Sequence, residues 1–183
     1  MKILEVPNTE QYQTLKREIL FSPSFTWCYE ETPHGPLNEW DPEDFKKYNG
    51  DPYFSHCVLR PAKPNYPYST VDSGYAALCS KVILDTISHN DIEAYSIMRI
   101  NINMTFPSKK NRPDIPHVDH PYPHKNMLFY FTENGGKTVI QEDSGDVEYT
   151  PVEDTCILFN GQNKHCMWYP DTGRRIVMVV TFI

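Results

Sequence analysis

From about Tyr95 to the C-terminus the chain is broken into eight short β-like runs: "AYSIMRININMTF", "IPHVDH", "NMLFYFT", "KTVIQE", "DVEYT", "DTCILF", "KHCMWY" and "RRIVMVVTFI". Between them lie "ENGG", "DSGD" and "TGR", whose Gly, Asn and Asp suit the tight turns that join neighbouring strands. A strand that buries one face needs a second layer to bury it against. A row of short strands therefore folds as a two-sheet or closed β structure: a sandwich, a jelly roll or a barrel. The expectation here is a mainly β fold with flanking helices, a jelly roll.

The front half differs in kind. "NTEQYQTLKREIL" predicts a capped amphipathic helix over about Asn8–Leu20, with Tyr12, Leu15, Ile19 and Leu20 on one side. A second helix is expected over Asp72 to about Ser88, with Asp72 as N-cap and Tyr75, Leu78, Val82 and Ile83 facing inward. Between them, prolines 23, 33, 36, 42, 52, 61, 64 and 67 leave room only for short strands or turns. That stretch also carries Phe25, Trp27, Tyr29, Trp40, Tyr53, Phe54, Tyr66 and Tyr68, enough aromatic surface to pack over something.

A length of 183 residues fits one domain, 1–183, with a helical and loop-rich part up to residue 95 and the β part after it. A net charge of −7 gives no support to a nucleic-acid partner. There is no long apolar run for a membrane span, and "MKILEVPNTEQYQTL" lacks a signal peptide's apolar region, so a cytoplasmic protein is expected. Five cysteines without a Cys-x-x-Cys pair read as reduced thiols.

Within "IPHVDH", His117 and Asp119 stand two apart. On a strand they project from one face with α-carbons about 6.5 Å apart, close enough to meet one ion. His165 in "KHCMWY" is the histidine placed to join them, while histidines 34, 56, 89, 120 and 124 fall in expected loops or on the other face. Cys166 alternates away from His165 and is assigned to the core. Two imidazoles and a carboxylate form the facial triad of non-haem iron(II) sites, although zinc takes such a set as well. At the start of the last run, one of Arg174 and Arg175 points inward. A buried arginine calls for an anion, and this strand offers no acid to supply one.

His117-x-Asp119, then His165, then an arginine about ten residues on at the head of the last strand resembles the 2-oxoglutarate and Fe(II)-dependent dioxygenase superfamily. The prolyl-4-hydroxylase-like branch is the nearest part of it. The resemblance covers roughly Ser96–Ile183, including "FYFT", "GGKTVI" and "ILFNGQNKH". It implies a double-stranded β-helix with Fe(II) held by His117, Asp119 and His165. It further implies 2-oxoglutarate bound at its distal carboxylate by Arg175, with Arg174 the runner-up. Tyr130 is implied as a hydroxyl near the same carboxylate, with a core role as the other reading, and Thr181 is expected to add a second hydroxyl because it shares the face of Arg175. Asn101 and Asn103 share one face of a strand, toward the pocket or toward solvent. The family's chemistry consumes O2 and releases succinate and CO2. Because Asp119 is present, hydroxylation or oxidative demethylation is expected, on a small molecule or an amino-acid side chain, proline first. The stretch Phe25–Tyr68 is a candidate lid, and "PSKKNRPD" a basic loop near the site. Two other classes remain open: a cupin-like metal barrel acting as an isomerase or lyase, and a non-catalytic jelly roll.

Overall fold

The strand Arg175–Phe182 explains most of the architecture. Nearly every residue in it is buried, so it must be covered on both faces. In the computed structural model, which describes residues 1–31, 43, 47–48, 50–62 and 67–183, it is the central strand of the larger sheet. The elements run β1 (Lys2–Glu5), α1 (Glu10–Phe21), β2 (Cys28–Glu30), β3 (Tyr53–Arg60), β4 (Thr70–Val71) and α2 (Ala76–His89). They continue with β5 (Ile97–Thr105), β6 (Lys125–Tyr130), β7 (Lys137–Glu142), β8 (Gly145–Tyr149), β9 (Thr155–Asn160), β10 (His165–Trp168) and β11 (Arg175–Phe182). The larger sheet has the order β1-β9-β6-β11-β5-β3-β2, with β4 added to β3, and the smaller sheet is β10-β7-β8. All pairings are antiparallel. This is the expected jelly roll.

Alternation along β11 divides the interior in two. Ile176, Met178, Val180 and Phe182 join Ile100, Ile102, Met127 and Phe129 in a core that Leu15 and Ile19 of α1 and Val82 and Ile83 of α2 cover. Val177 points the other way, into a second cluster with Leu128, Tyr130, Ile157 and Phe159, closed by Ile140 and Tyr149 of the smaller sheet. Each fully buried large side chain contributes about 1.5–3 kcal/mol relative to exposure. Gly136 opens β7 at φ +70°, where an added Cβ would lie 2.5 Å from the Trp168 carbonyl oxygen, so only glycine fits that turn.

Several local expectations need correction. The segment from Ile115 to His120 is not a strand; it is extended loop that meets its neighbour only at the bridge between His117 and His165. Pro113, Pro116 and Pro121 deny it a regular ladder. The proline-rich region holds an eight-residue strand, β3, because Pro52 and Pro61 bracket it rather than interrupt it. The N-terminal strand β1 was not expected from the sequence; it completes the edge beyond β9. The first helix is capped by Thr9, whose hydroxyl accepts from the Tyr12 N–H at 3.2 Å. The second begins at Ala76, and Asp72 does not cap it: its carboxylate pairs with Arg60 at 2.5 Å. No helix among the described residues is long and apolar enough to cross a membrane. Pro33, His34, Pro36, Trp40, Pro42, Pro64 and Tyr66 lie outside the described residues.

Candidate metal and anion site

The loop that carries His117 is pinned where it touches β10. The His117 N–H donates to the His165 carbonyl at 3.0 Å and the His165 N–H returns to the His117 carbonyl at 2.9 Å. Nearby, the Asp114 N–H donates to the Met167 carbonyl at 2.8 Å. The two imidazoles thus face each other across this isolated bridge, with ring centroids 4.6 Å apart. His117 Nδ1 donates to the Ile115 carbonyl at 2.9 Å and His165 Nδ1 to the Asn163 carbonyl at 3.4 Å. These carbonyls fix the tautomer, so each Nε2 is the nitrogen that carries a lone pair. His165 Nε2 lies 3.5 Å from Asp119 Oδ2, and the ligating atoms of His117, Asp119 and His165 all fall within 4.8 Å of one another.

Asp119 is held on both oxygens. Arg99 Nη1 donates to Oδ1 at 2.7 Å and Asn126 Nδ2 to Oδ2 at 2.7 Å, with the side chain only 5% exposed. Burial pushes its pKa up, but Arg99 foremost, then the two histidines and Asn126, outweigh that and bring it down to about 2. Burial and, after it, neighbouring His117 lower His165 to about 4, against the opposing pull of Asp119. At neutral pH the cluster therefore offers an ionised carboxylate and a neutral His165, the protonation states that metal coordination requires. Two imidazole nitrogens and one carboxylate within coordinating reach fit a first-row divalent metal with positions left open.

The donors border a cavity of about 110 Å³ whose far wall holds Arg175. Arg175 is 4% exposed. Its Nη2 donates to Thr138 Oγ1 at 3.0 Å, its Nη1 touches Met167 Sδ at 3.5 Å, and the cation lies 5.4 Å from the Tyr130 ring centroid. No carboxylate pairs with it among the described residues, and its Nε is buried without a hydrogen-bond partner. Thr105 Oγ1, on the residue paired with Arg175 across the sheet, is buried and unpartnered as well. A buried cation beside an unused hydroxyl fits a ligand that brings its own anionic oxygens.

Of the two arginines, Arg175 faces inward, while Arg174 turns away to donate to the Leu20 carbonyl at 2.7 Å. Tyr130 is buried behind Arg175, its hydroxyl 2.8 Å from Thr138 Oγ1, and reaches the cavity only through these two residues. Burial pushes that hydroxyl up to about 12, so it stays protonated. Thr181 shares the face of Arg175 but does not line the cavity. It sits six residues, roughly 20 Å, along the strand, and its hydroxyl is hydrogen-bonded to His120 Nε2 at 2.8 Å. Asn101 and Asn103 lie on the interior face and hydrogen-bond each other; Asn103 borders the cavity. Cys166 is buried as expected, yet it also borders the cavity, with its thiol pushed up to about 11 by burial.

Among the described residues of the expected lid, Tyr53 reaches the cavity. Phe25 instead packs at tilted angles against Trp27, His56 and Tyr75, and Tyr29 and Tyr68 are exposed. The basic loop is tied down, with Lys110 and Ser108 both bonded to Asp51. Arg99, Thr105, Asn126 and Thr138 were not anticipated as site residues. Arg99 was the legible one, since it alternates with Asn101 and Asn103 and so shares their face.

No family model matches the sequence, and no curated protein matches it. Solved structures do match in fold. A 2OG-Fe(II) oxygenase family oxidoreductase from Burkholderia pseudomallei superposes with a TM-score of 0.65 at 12% identity, over 98% of this chain and 84% of that one. SnoN, described as a non-haem alpha-ketoglutarate-dependent epimerase from nogalamycin biosynthesis, gives a TM-score of 0.59 at 10% identity, over 99% and 76%. A Pseudomonas putida prolyl-4-hydroxylase aligns over only 61% of this chain and 70% of its own, with a TM-score of 0.43 at 15% identity, too loose to bear on the branch. The chain thus has the fold of the 2-oxoglutarate and iron(II) oxygenases, with two histidines and a carboxylate at one end of its barrel cavity and a buried arginine at the other.

Proposed function

We propose that this protein is an iron(II)- and 2-oxoglutarate-dependent oxygenase that hydroxylates a substrate C–H bond. The observation that carries the reading is the pairing, in one small cavity, of the His117–Asp119–His165 cluster with an arginine that has no acid of its own among the described residues. His117, Asp119 and His165 would hold the iron; Arg175, backed by Thr138 and Tyr130, would hold the distal carboxylate of the co-substrate. Bound iron and 2-oxoglutarate supply the oxidation itself, in which R–H, O2 and 2-oxoglutarate give R–OH, succinate and CO2, one oxygen atom entering each organic product.

The chain's own residues do the positioning. The Ile115 and Asn163 carbonyls orient the imidazoles, and Arg99 and Asn126 fix the plane of the Asp119 carboxylate. Leu128, Val177 and Val179 give the cavity an apolar wall, where an arginine–carboxylate pair is worth more than in water. Residues 1–183 act together as one oxygenase domain in this reading, since the front helices and the barrel share one core. The substrate is a small molecule or a peptidyl side chain.

The test is an anaerobic titration with Fe(II) and then 2-oxoglutarate, watching for the visible charge-transfer band of chelated co-substrate. The band is expected in the parent and absent in Asp119→Ala. Iron uptake without a band would favour a cupin-like metal barrel instead, and no iron uptake would sink both.

A further inference from the structure

The interior face of the larger sheet does not end at the cavity. Past β11 it runs on across β5, β3 and β2, where the smaller sheet no longer covers it, and forms the floor of a groove of about 950 Å³. Its character changes there. Under the smaller sheet the face is Leu128, Ile157 and Val177; in the groove it is Asn101, Ser55 and Cys57, with Glu30 on the outermost strand. No leucine, isoleucine, valine, methionine or phenylalanine lines the groove among the described residues. With Tyr53, Tyr75 and Pro61 also on its walls, such a surface suits a ligand that pairs hydrogen-bonding groups with an apolar or ring face.

Arg99 lines both spaces. A guanidinium has five N–H donors, and Arg99 uses Nη1 on Asp119 with no further hydrogen bond among the described residues. Its side chain is 27% exposed, so the remaining donors are accessible. Arg60, the other cation of the groove, is already neutralised by Asp72 at 2.5 Å. Glu30 and Glu31 make the outer end acidic. With a divalent metal and a dianionic co-substrate in place, Asp119 and the buried Asp114 balance Arg175 and Arg99, so the enclosed site is formally neutral and what Arg99 has to spare is its planar donor fork, whose geometry matches a carboxylate.

We propose that Arg99 anchors the substrate, and that the substrate is a hydrogen-bonding monoanion whose carboxylate sits in the unused fork of that guanidinium. This rests on the oxygenase reading above and deepens it. Asp119 fixes the guanidinium beside the metal position, so the anion is held one side chain away from the reacting centre.

The test uses the full chain with Mn(II), which does not turn over, and 2-oxoglutarate. Loss of the free-Mn(II) electron paramagnetic resonance signal reports metal uptake. Fluorine relaxation of added trifluoroacetate, against neutral trifluoroacetamide, reports an anion near the metal. The parent is expected to relax trifluoroacetate saturably and the amide little. Arg99→Gln is expected to reduce the trifluoroacetate effect about tenfold or more, as loss of a charged hydrogen-bond pair implies, whereas Arg60→Gln keeps it. Equal relaxation of the two probes, or an effect that survives Arg99→Gln, would overturn the proposal. Should Arg99→Gln lose Mn(II), Arg99→Lys keeps a cation beside Asp119 while removing the fork, and unchanged relaxation there overturns it too. Loss of Mn(II) from both variants would make Asp119 the only group this arginine serves, and the proposal would fall with it. If the parent takes up no Mn(II), it is the oxygenase reading that fails.

Discussion

The two faces of the larger sheet are built from the same strands and follow opposite rules. Toward the helices, β5, β6 and β11 present Ile100, Ile102, Met127, Phe129, Ile176, Met178, Val180 and Phe182, all apolar and buried. Toward the barrel, the same strands present Arg99, Asn101, Asn103, Thr105, Asn126 and Arg175 among Leu128, Tyr130 and Val177. The helix face has stability as its main task. The barrel face gives up part of its burial to hold polar groups in fixed places, three of whose atoms, Thr105 Oγ1, Asn126 Oδ1 and Arg175 Nε, have no hydrogen-bond partner among the described residues. Local rules broken on one face and kept on the other mark where function sits.

The largest effect should come from the helix face. Phe129 is fully buried in that core, and Phe129→Ala is expected to cost about 3–5 kcal/mol, as cavity formation adds to lost transfer energy. Chemical denaturation measures it. A cost below about 1 kcal/mol would mean that this face is not the structural one.

Next is the donor cluster, where metal should stabilise the parent and not a ligand variant. At a free Fe(II) concentration of about 100 times Kd, under anaerobic conditions, linkage predicts a gain of about 2.7 kcal/mol for the parent. Asp119→Ala is expected to show none. An equal shift in both proteins would place the metal elsewhere.

Legibility followed the same division. Alternation in "RRIVMVVTFI" and "SIMRININMTF" assigns each residue of β5 and β11 to a face once either face is known, and the pairing of His117 and Asp119 with His165 needed only residue type and order. What was not legible depends on neighbours far along the chain. His117 and Asp119 share a direction although their segment is no strand, because one bridge to His165 replaces a ladder. Thr181 alternates in step with Arg175, but periodicity says nothing about how far along a strand a cavity extends. Asp72 has the chemistry of a cap and was drawn off by Arg60, a residue on a strand that the surrounding prolines concealed. Asn126 and Thr138 carry no motif; only the fold brings them to Asp119 and Arg175.

Arg175 offers a sharper comparison, because stability and binding should move in different directions. Burial lowers the pKa of its guanidinium, and no acid compensates the charge among the described residues. Arg175→Met keeps the volume and removes a desolvated cation, so stability without ligand should hold or rise. Affinity for 2-oxoglutarate should fall by about 1.5–3 kcal/mol or more, the worth of a hydrogen bond to a charged group. Arg174→Gln should leave that affinity within a factor of about two, since Arg174 serves the Leu20 carbonyl on the other side. Calorimetric titration with a redox-silent metal in the site gives both affinities. A variant that loses stability and affinity together would return Arg175 to the structural face.

The smallest effect distinguishes the two readings of Tyr130. Its ring fills the barrel-side core and its hydroxyl meets Thr138, which in turn accepts from Arg175. Tyr130→Phe keeps the ring and removes only the hydroxyl, at a cost of about 0.5–1.5 kcal/mol in stability. If the hydroxyl serves only the core, 2-oxoglutarate affinity should be unchanged. If it sets the Thr138 hydroxyl that steadies Arg175, affinity should drop two- to tenfold while the isosteric change leaves the cavity wall intact, about 0.4–1.4 kcal/mol. The geometry favours the second outcome, because Thr138 Oγ1 has both Tyr130 and Arg175 within hydrogen-bond reach and no other side-chain partner among the described residues. A Thr138→Val protein that loses the same affinity, with no further loss when Tyr130→Phe is added, would show that the two hydroxyls act on Arg175 as one unit.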